Sequence, residues 1–137
     1  MPSVKGVSDL RVYQLSLRLL DKIYDVAYAI PHIKFRTQLI NSSEAIPPLI
    51  GEGFSRQRNP ADAARFYEMA MAESDEVVIH LTKAIILSRR FRKIPKGACE
   101  SIVEKYTELS KQLNSLRQTW RRFAEPANSY IKKKSVN

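Results

Sequence analysis

The residues with the greatest chemical potential in this 137-residue chain are cations that gather in two short stretches. Lysine and arginine bind phosphates through charge and hydrogen bonds, so such clusters are typical of surfaces that contact nucleic acid or another polyanion. One stretch follows the third predicted helix, and the other lies at the end of the fourth helix and in the tail. The candidate phosphate-binding residues are Arg89, Arg90, Arg92, Lys93, Lys96, Arg117, Arg121, Arg122, Lys132, Lys133 and Lys134.

The distribution of charge points to the same partners. Residues 1–88 contain ten basic and ten acidic side chains, whereas residues 89–137 contain thirteen and four, so the second part carries the whole net charge of +9. This asymmetry favours a polyanionic partner, with RNA or DNA first. A second interpretation stays open, because cations near helix C-termini also complement the helix dipole or are simply solvated. Phe91 and Tyr130 lie beside these charges and are candidates to stack on bases or to pack against the helix ends.

Signatures of enzymes and metal sites are absent from the sequence. Glu76 and His80 are four residues apart, a spacing that can seed a metal site on a helix. A di-iron carboxylate bundle, however, needs Glu-x-x-His pairs, and the sequence contains none. The single cysteine, Cys99, falls on an apolar stripe, which favours a core residue over a nucleophile. The sequence therefore predicts no enzymatic activity, no metal and no cofactor.

The spacing of apolar residues predicts an all-α protein with four long helices. Ser8 is the predicted N-cap of the first helix, and Asn59 followed by Pro60 opens the third. The predicted helices cover residues 9–30, 34–56, 60–88 and 95–123. Short connections between long helices favour an antiparallel up-down four-helix bundle over residues 9–123. Residues 1–8 and the basic tail, residues 124–137, are predicted to be flexible.

Apolar stripes on the first and last helices define most of the predicted core. On the first helix the principal stripe is Leu10, Tyr13, Leu17, Leu20, Tyr24 and Ala27, and a second apolar row widens it, namely Val12, Leu19, Ile23, Val26 and Ile30. On the fourth helix the stripe is Cys99, Ile102, Tyr106, Leu109, Leu113, Leu116, Trp120 and Phe123. The regular steps of three and four on the fourth helix are typical of packing between nearly parallel helix axes.

Four residues of the second helix have predicted structural roles. Pro47 and Pro48 each remove a helical hydrogen bond, so a kink or a break is expected there. Glu52 and Arg56 are four residues apart, so they are predicted to form an ion pair that fixes the end of this helix.

An up-down bundle would divide the cations between its two ends. The loops after the first and third helices share one end, so Lys34 and Arg36 would join the first cationic stretch. Arg56 and Arg58 would join the second stretch at the other end.

Two segments resemble a known family. Residues 45–56 read Ala-Ile-Pro-Pro-Leu-Ile-Gly-Glu-Gly-Phe-Ser-Arg, and residues 70–77 read Ala-Met-Ala-Glu-Ser-Asp-Glu-Val. They are similar to the Ser-Ile-Pro, Asn-Ile-Ala-Glu-Gly and Ala-x-Gly-Ser-x-x-Glu-Leu motifs of the four-helix-bundle proteins also called large-subunit ribosomal RNA intervening-sequence proteins. The resemblance covers roughly residues 9–87. Leu49, Gly51 and Ala72-Glu73 depart from the family pattern.

The resemblance implies a compact four-helix bundle that assembles with copies of itself into a ring, often a pentamer. Most of the family has no assigned activity, and a related branch serves as the basic accessory subunit of the reverse transcriptase of diversity-generating retroelements. With the cationic stretches, this predicts a non-enzymatic oligomer that binds the RNA or DNA backbone. The alternative is a structural or protein-interaction scaffold. The apolar runs are shorter than a membrane span and residues 1–8 lack an apolar signal segment, so a cytoplasmic protein without a membrane partner is expected.

Overall fold

The computed structural model describes residues 5–126, and four α-helices account for most of them. They share one hydrophobic core. Within the described residues there is no β-strand, so the all-α prediction is confirmed. Across this same range, every helix is too short or too polar to cross a membrane. The helices are α1 (Arg11–Ala27), α2 (Ile33–Ser55), α3 (Pro60–Leu87) and α4 (Lys96–Ala124).

The first helix begins after a 3-10 turn, and not at Asp9 as predicted. The Asp9 carboxylate accepts hydrogen bonds from the backbone N–H of Lys5 (3.1 Å) and Gly6 (3.2 Å), so it holds the preceding segment and does not open α1. Ser8 lies inside this turn, and Leu10 occupies the N-cap position of α1. The prediction of Ser8 as the N-cap is therefore wrong. The predicted flexibility of residues 1–8 stays a prediction.

Most buried positions of α1 belong to the second apolar row, and of the predicted principal stripe only Ala27 is fully buried. Leu17, expected in the core, is 43% exposed. The buried positions of α1 are Val12, Ser16, Leu19, Ile23, Val26 and Ala27. They repeat at steps of four and three along most of the helix. The polar Ser16 among them interrupts the apolar periodicity of this row in the sequence.

The second helix runs through Pro47 and Pro48 without interruption, so of the two predicted alternatives, a kink or a break, the break is wrong. Pro47 is buried together with Ile46 and Ile50. Each proline removes one backbone donor, but most helical stability in a folded protein comes from the packing of an apolar face. The buried face of α2 therefore keeps the helix continuous across this segment.

α1 ends at Ala27, three residues before the predicted Ile30, and the remaining helix boundaries agree with the sequence to within one residue. The Asn59 side chain accepts a hydrogen bond from the Asp62 N–H (3.4 Å), as predicted for the cap of α3. On α4 the predicted stripe is buried from Cys99 to Leu113. Phe123, at its far end, is 62% exposed.

A buried serine links α3 to α4. Ser74 Oγ donates to the carbonyl oxygen of Tyr106 (3.1 Å) and accepts a hydrogen bond from Ser110 Oγ (2.8 Å). Because a buried hydroxyl needs partners, these bonds fix the facing positions of the two helices. Nearby, Glu68 on α3 faces Arg117 on α4.

The structure predicts that stability declines in mild acid through His80. His80 is 8% exposed, and burial is the main cause that lowers the pKa of its imidazole below 6.5, with a smaller effect of Lys83 against the opposing effect of Glu76. The unfolded chain therefore takes up a proton at higher pH than the folded one, so the free energy of unfolding falls as the pH drops below 6.5. We expect the urea midpoint to drop between about pH 7.5 and about pH 5.5, and to drop less in the His80→Gln variant. Equal drops in both proteins would assign the acid sensitivity to other groups.

Candidate nucleic-acid interface

Residues 89–96, here called the basic loop, lie in the connection between α3 and α4 and include Lys96, the first residue of α4; they present five exposed cations to solvent. No carboxylate among residues 5–126 forms an ion pair with any of them. The loop is held in place by Ile94, which is 2% exposed, and by a hydrogen bond from the Phe91 N–H to the Leu87 carbonyl oxygen (3.0 Å). The cations are Arg89, Arg90, Arg92, Lys93 and Lys96.

Beside the basic loop lies an open groove of about 500 Å³ between the start of α2 and the end of α3, here called the apolar groove. The buried Phe35 ring lies within its lining, and Lys83 Nζ is 4.6 Å from the centroid of that ring. Phe91 of the basic loop contributes a ring that is 42% exposed. The groove is lined by Pro31, His32, Lys34, Phe35, Gln38, Lys83, Leu87 and Phe91. It thus combines apolar surface with a cationic rim.

Local backbone bonds position the groove. His32 caps α2, since its Nδ1 accepts a hydrogen bond from the Phe35 N–H (3.2 Å). Arg36 donates from Nε (3.0 Å) and Nη2 (2.7 Å) to the carbonyl oxygen of Ile30, and its guanidinium lies 5.4 Å from the centroid of the Tyr28 ring. α1 ends at Ala27, before the predicted last residue Ile30. Arg36 thus stabilises the turn between α1 and α2. Of the two cations predicted to join this end, Lys34 is the one that lines the groove.

The second cationic stretch is partly neutralised within the chain. Glu68 Oε1 lies 3.8 Å from Arg117 Nη1, and Glu68 Oε2 lies 3.6 Å from Arg121 Nη2. The Arg117 side chain is only 17% exposed and also donates to Asn114 Oδ1 at 2.7 Å. One carboxylate shared by two guanidiniums lowers the local positive charge, so this stretch has less charge to offer a phosphate than the basic loop. Arg122 is exposed beside them.

The tail cations Lys132, Lys133 and Lys134, and the aromatic Tyr130, lie outside the described residues. Their predicted contact with nucleic acid stays a prediction.

The end of α2 is tied to the start of α3 through Arg56. Its Nη2 lies 3.3 Å from Glu52 Oε2, and its Nη1 lies 3.9 Å from Asp62 Oδ2. The guanidinium carbon is also 4.7 Å from the centroid of the Phe66 ring. Arg56 thus joins the two helices, and Arg58 is exposed in the turn between them.

Three groups with nucleophilic or acid-base chemistry, the Cys99 thiol and the hydroxyls of Tyr67 and Tyr106, lie inside the core. Cys99 is 0% exposed, and burial raises the pKa of its thiol, which keeps it protonated at neutral pH. Burial also raises the pKa of Tyr67 to about 12 and raises the pKa of Tyr106. Among residues 5–126 no three metal-ligating side chains form a group that could hold an ion.

Sequence reasoning found the cations of the basic loop but missed the groove beside them. Lys83 and Leu87 are four residues apart, so both were readable as one face of α3. Gln38 and His32 carried no such signal, because their position depends on how α2 packs against α3.

Comparison with known proteins agrees with this architecture. A family model described as 23S rRNA-intervening sequence protein matches residues 8–115, which extends the similarity through most of α4 and beyond the roughly 9–87 inferred from motifs. No curated protein and no solved structure matches the chain. Because the matched range covers most of the chain, the protein belongs to the family of 23S rRNA-intervening sequence proteins.

Proposed function

We propose that the protein is a non-enzymatic helical-bundle protein that binds nucleic acid through its phosphates, without reading the base sequence. The observation that carries this proposal is the basic loop, whose five exposed cations lack carboxylate partners among residues 5–126. Unpaired surface cations attract phosphates and release counterions on binding. The family's name refers to an intervening sequence of 23S rRNA, so structured RNA in the cytoplasm is the first polyanion to test.

An antiparallel up-down bundle is part of this proposal. Two pairings between α3 and α4 support it, since Glu68 contacts Arg117 whereas Ser74, further along α3, contacts the earlier Tyr106. When contacting residues have rising numbers on one helix and falling numbers on the other, the two helices run antiparallel. In such a bundle the basic loop lies at the same end as Lys34, which agrees with the lining of the apolar groove.

Assembly into a ring, with five copies as the family resemblance implies, would multiply the cationic surface. Support comes from Ile79 and Ile86 on α3, which are 54% and 61% exposed. They are seven residues apart, so they lie on the same face of the helix. A groove of about 550 Å³ between α3 and α4 lies beside Ile79. Exposed apolar surface of this kind marks an interaction site.

Introducing charge on this face is expected to dissociate the oligomer. In the Ile79→Glu, Ile86→Glu variant, carboxylates would have to be buried unpaired at the interface, which costs several kcal/mol per charge. We expect light scattering after size exclusion to give the mass of one chain, with the helical content retained because both positions are exposed in the single chain. The matched control is Leu17→Glu on α1, which should keep the mass of the wild type. Dissociation by the control alone would place the interface on α1.

The test of the function is a titration of labelled structured RNA and duplex DNA with nuclease-treated protein across a salt series. The proposal expects binding at low salt that weakens steeply as salt rises. Absence of binding at low salt to both polymers would contradict it.

A second candidate function is a protein-interaction scaffold, favoured by the exposed Ile79 and Ile86. It predicts a stable assembly that ignores both polymers and retains a protein partner after nuclease treatment. A role as the accessory subunit of a reverse transcriptase would need both properties, namely nucleic-acid binding and capture of that enzyme.

A further inference from the structure

We propose that the apolar groove holds an unpaired nucleobase, so that the protein prefers single-stranded nucleic acid to duplex. This inference rests on the proposed function and narrows its ligand. The groove is open, and its volume of about 500 Å³ lies within the range of about 300–1,000 Å³ that small-molecule sites occupy. Its apolar lining comes from Pro31, Phe35, Leu87 and Phe91, and the basic loop that would hold the adjoining phosphates supplies one of these residues.

The lining suits a nucleobase because a base has apolar faces, polar edges and a charged backbone on both sides. The half-exposed ring of Phe91 offers a stacking surface for the face. The Gln38 amide and the His32 imidazole line the same groove and offer hydrogen bonds to the edge. Lys34 and Lys83 stand at the rim, where phosphates would pass. An aliphatic side chain of a protein partner would use the apolar surface but leave these polar groups without a ligand.

The relative affinity for duplex and single strand distinguishes binding of a base in the groove from binding of phosphates alone. In a duplex the bases are stacked and paired, and taking one out costs a few kcal/mol. Attraction to phosphates alone favours the duplex, because its charge density is higher. Occupation of the groove by a base reverses that preference in favour of the single strand.

The experiment compares three labelled probes of equal length by fluorescence anisotropy: a single-stranded RNA, a strand with the same phosphates but no bases, and a duplex. The wild type is expected to bind the single strand about tenfold more tightly than the base-free strand. Phe91→Ala should abolish this advantage and leave binding of the base-free strand unchanged, whereas Phe91→Tyr should retain it. Phe123→Ala, which removes an exposed ring on α4, is the matched control and should behave as the wild type.

The other outcomes are equally decisive. Equal affinity for the single strand and the base-free strand overturns the inference but leaves phosphate binding standing. An advantage that survives Phe91→Ala also overturns it, since the base would then bind elsewhere. An acidic peptide with one leucine that binds only when Phe91 is present, while the base-free and single strands bind equally, would assign the groove to a protein partner. Failure of all three probes to bind contradicts the proposed function itself.

Discussion

Replacement of Gly53 by alanine is expected to lower the free energy of unfolding by about 1–3 kcal/mol, the usual cost of overpacking a core. A Cβ atom at this position would lie 2.7 Å from Tyr67 Cε1 and 2.9 Å from Tyr67 Cδ1. The Tyr67 ring is fully buried between the helices, so it has no open space into which to move. Gly53 therefore permits the close approach of α2 to α3. Urea unfolding followed by circular dichroism measures the difference.

Gly51→Ala is the matched control, on the same helix and two residues away. Nothing lies within 4 Å of the Cβ atom that alanine would add there. Because alanine favours a helix over glycine, this change should raise the free energy of unfolding by about 0.5–1 kcal/mol. The two changes in the free energy of unfolding need not be equal in size. A Gly53→Ala protein as stable as the wild type would contradict the packing argument. Combining Gly53→Ala with Tyr67→Leu should lower the free energy of unfolding by less than the sum of the two single changes, because the smaller side chain makes room for the added Cβ atom.

Removing four charges from the basic loop is expected to weaken RNA binding at least about tenfold at physiological salt, since each phosphate contact adds to a steep electrostatic term. The fold should be unaffected, because all four side chains are exposed and lack partners among the described carboxylates. Glutamine is used because it removes the charge but keeps a polar, unbranched side chain. The loop variant is Arg89→Gln, Arg90→Gln, Arg92→Gln and Lys93→Gln.

A control with the same change in net charge separates a local site from general attraction. Its four exposed positions lie on the sides of α1 and α4, away from the basic loop, and it should bind RNA nearly as the wild type does. If it loses as much affinity as the loop variant, the binding is due to net charge and not to the loop. The control variant is Arg18→Gln, Lys22→Gln, Lys105→Gln and Lys111→Gln.

A third variant compares the two cationic stretches. Replacing Arg117, Arg121 and Arg122 by glutamine is expected to cost less affinity than the loop variant, because Glu68 already pairs with the first two. A larger loss than in the loop variant would move the main phosphate site to the end of α4.

Patterns within a single helix made much of this fold readable from sequence. The regular stripe of α4 and the Asn59–Pro60 start of α3 depend on residues close together in the chain, and the structure matches the stripe from Cys99 to Leu113 and the start at Pro60. On α1 the sequence pattern favours the neighbouring row as the principal stripe, because the polar Ser16 interrupts the row that is buried. The continuity of α2 through Pro47 was missed because packing against other helices outweighs the local preference.

The candidate site also combines features that are local in the sequence with features that depend on how the helices pack. The cations of the basic loop are contiguous in the chain, so composition alone located them. The apolar groove is formed by residues of α2, α3 and two loops. A pattern within one segment does not predict which residues of separate segments come together. The contact of Glu68 with Arg117 joins residues far apart in the sequence, so the partial neutralisation of the second stretch required the structure.

The salt dependence of RNA binding tests the central claim, phosphate binding through the basic loop, most directly. The slope of the logarithm of the binding constant against the logarithm of salt concentration counts the phosphates contacted. With a single-stranded probe we predict a slope shallower by about 3 in the loop variant, from about 0.7 per lost contact, and an unchanged slope in the control variant. Identical slopes for the wild type, the loop variant and the control variant, or a wild-type affinity indifferent to salt, would contradict the account.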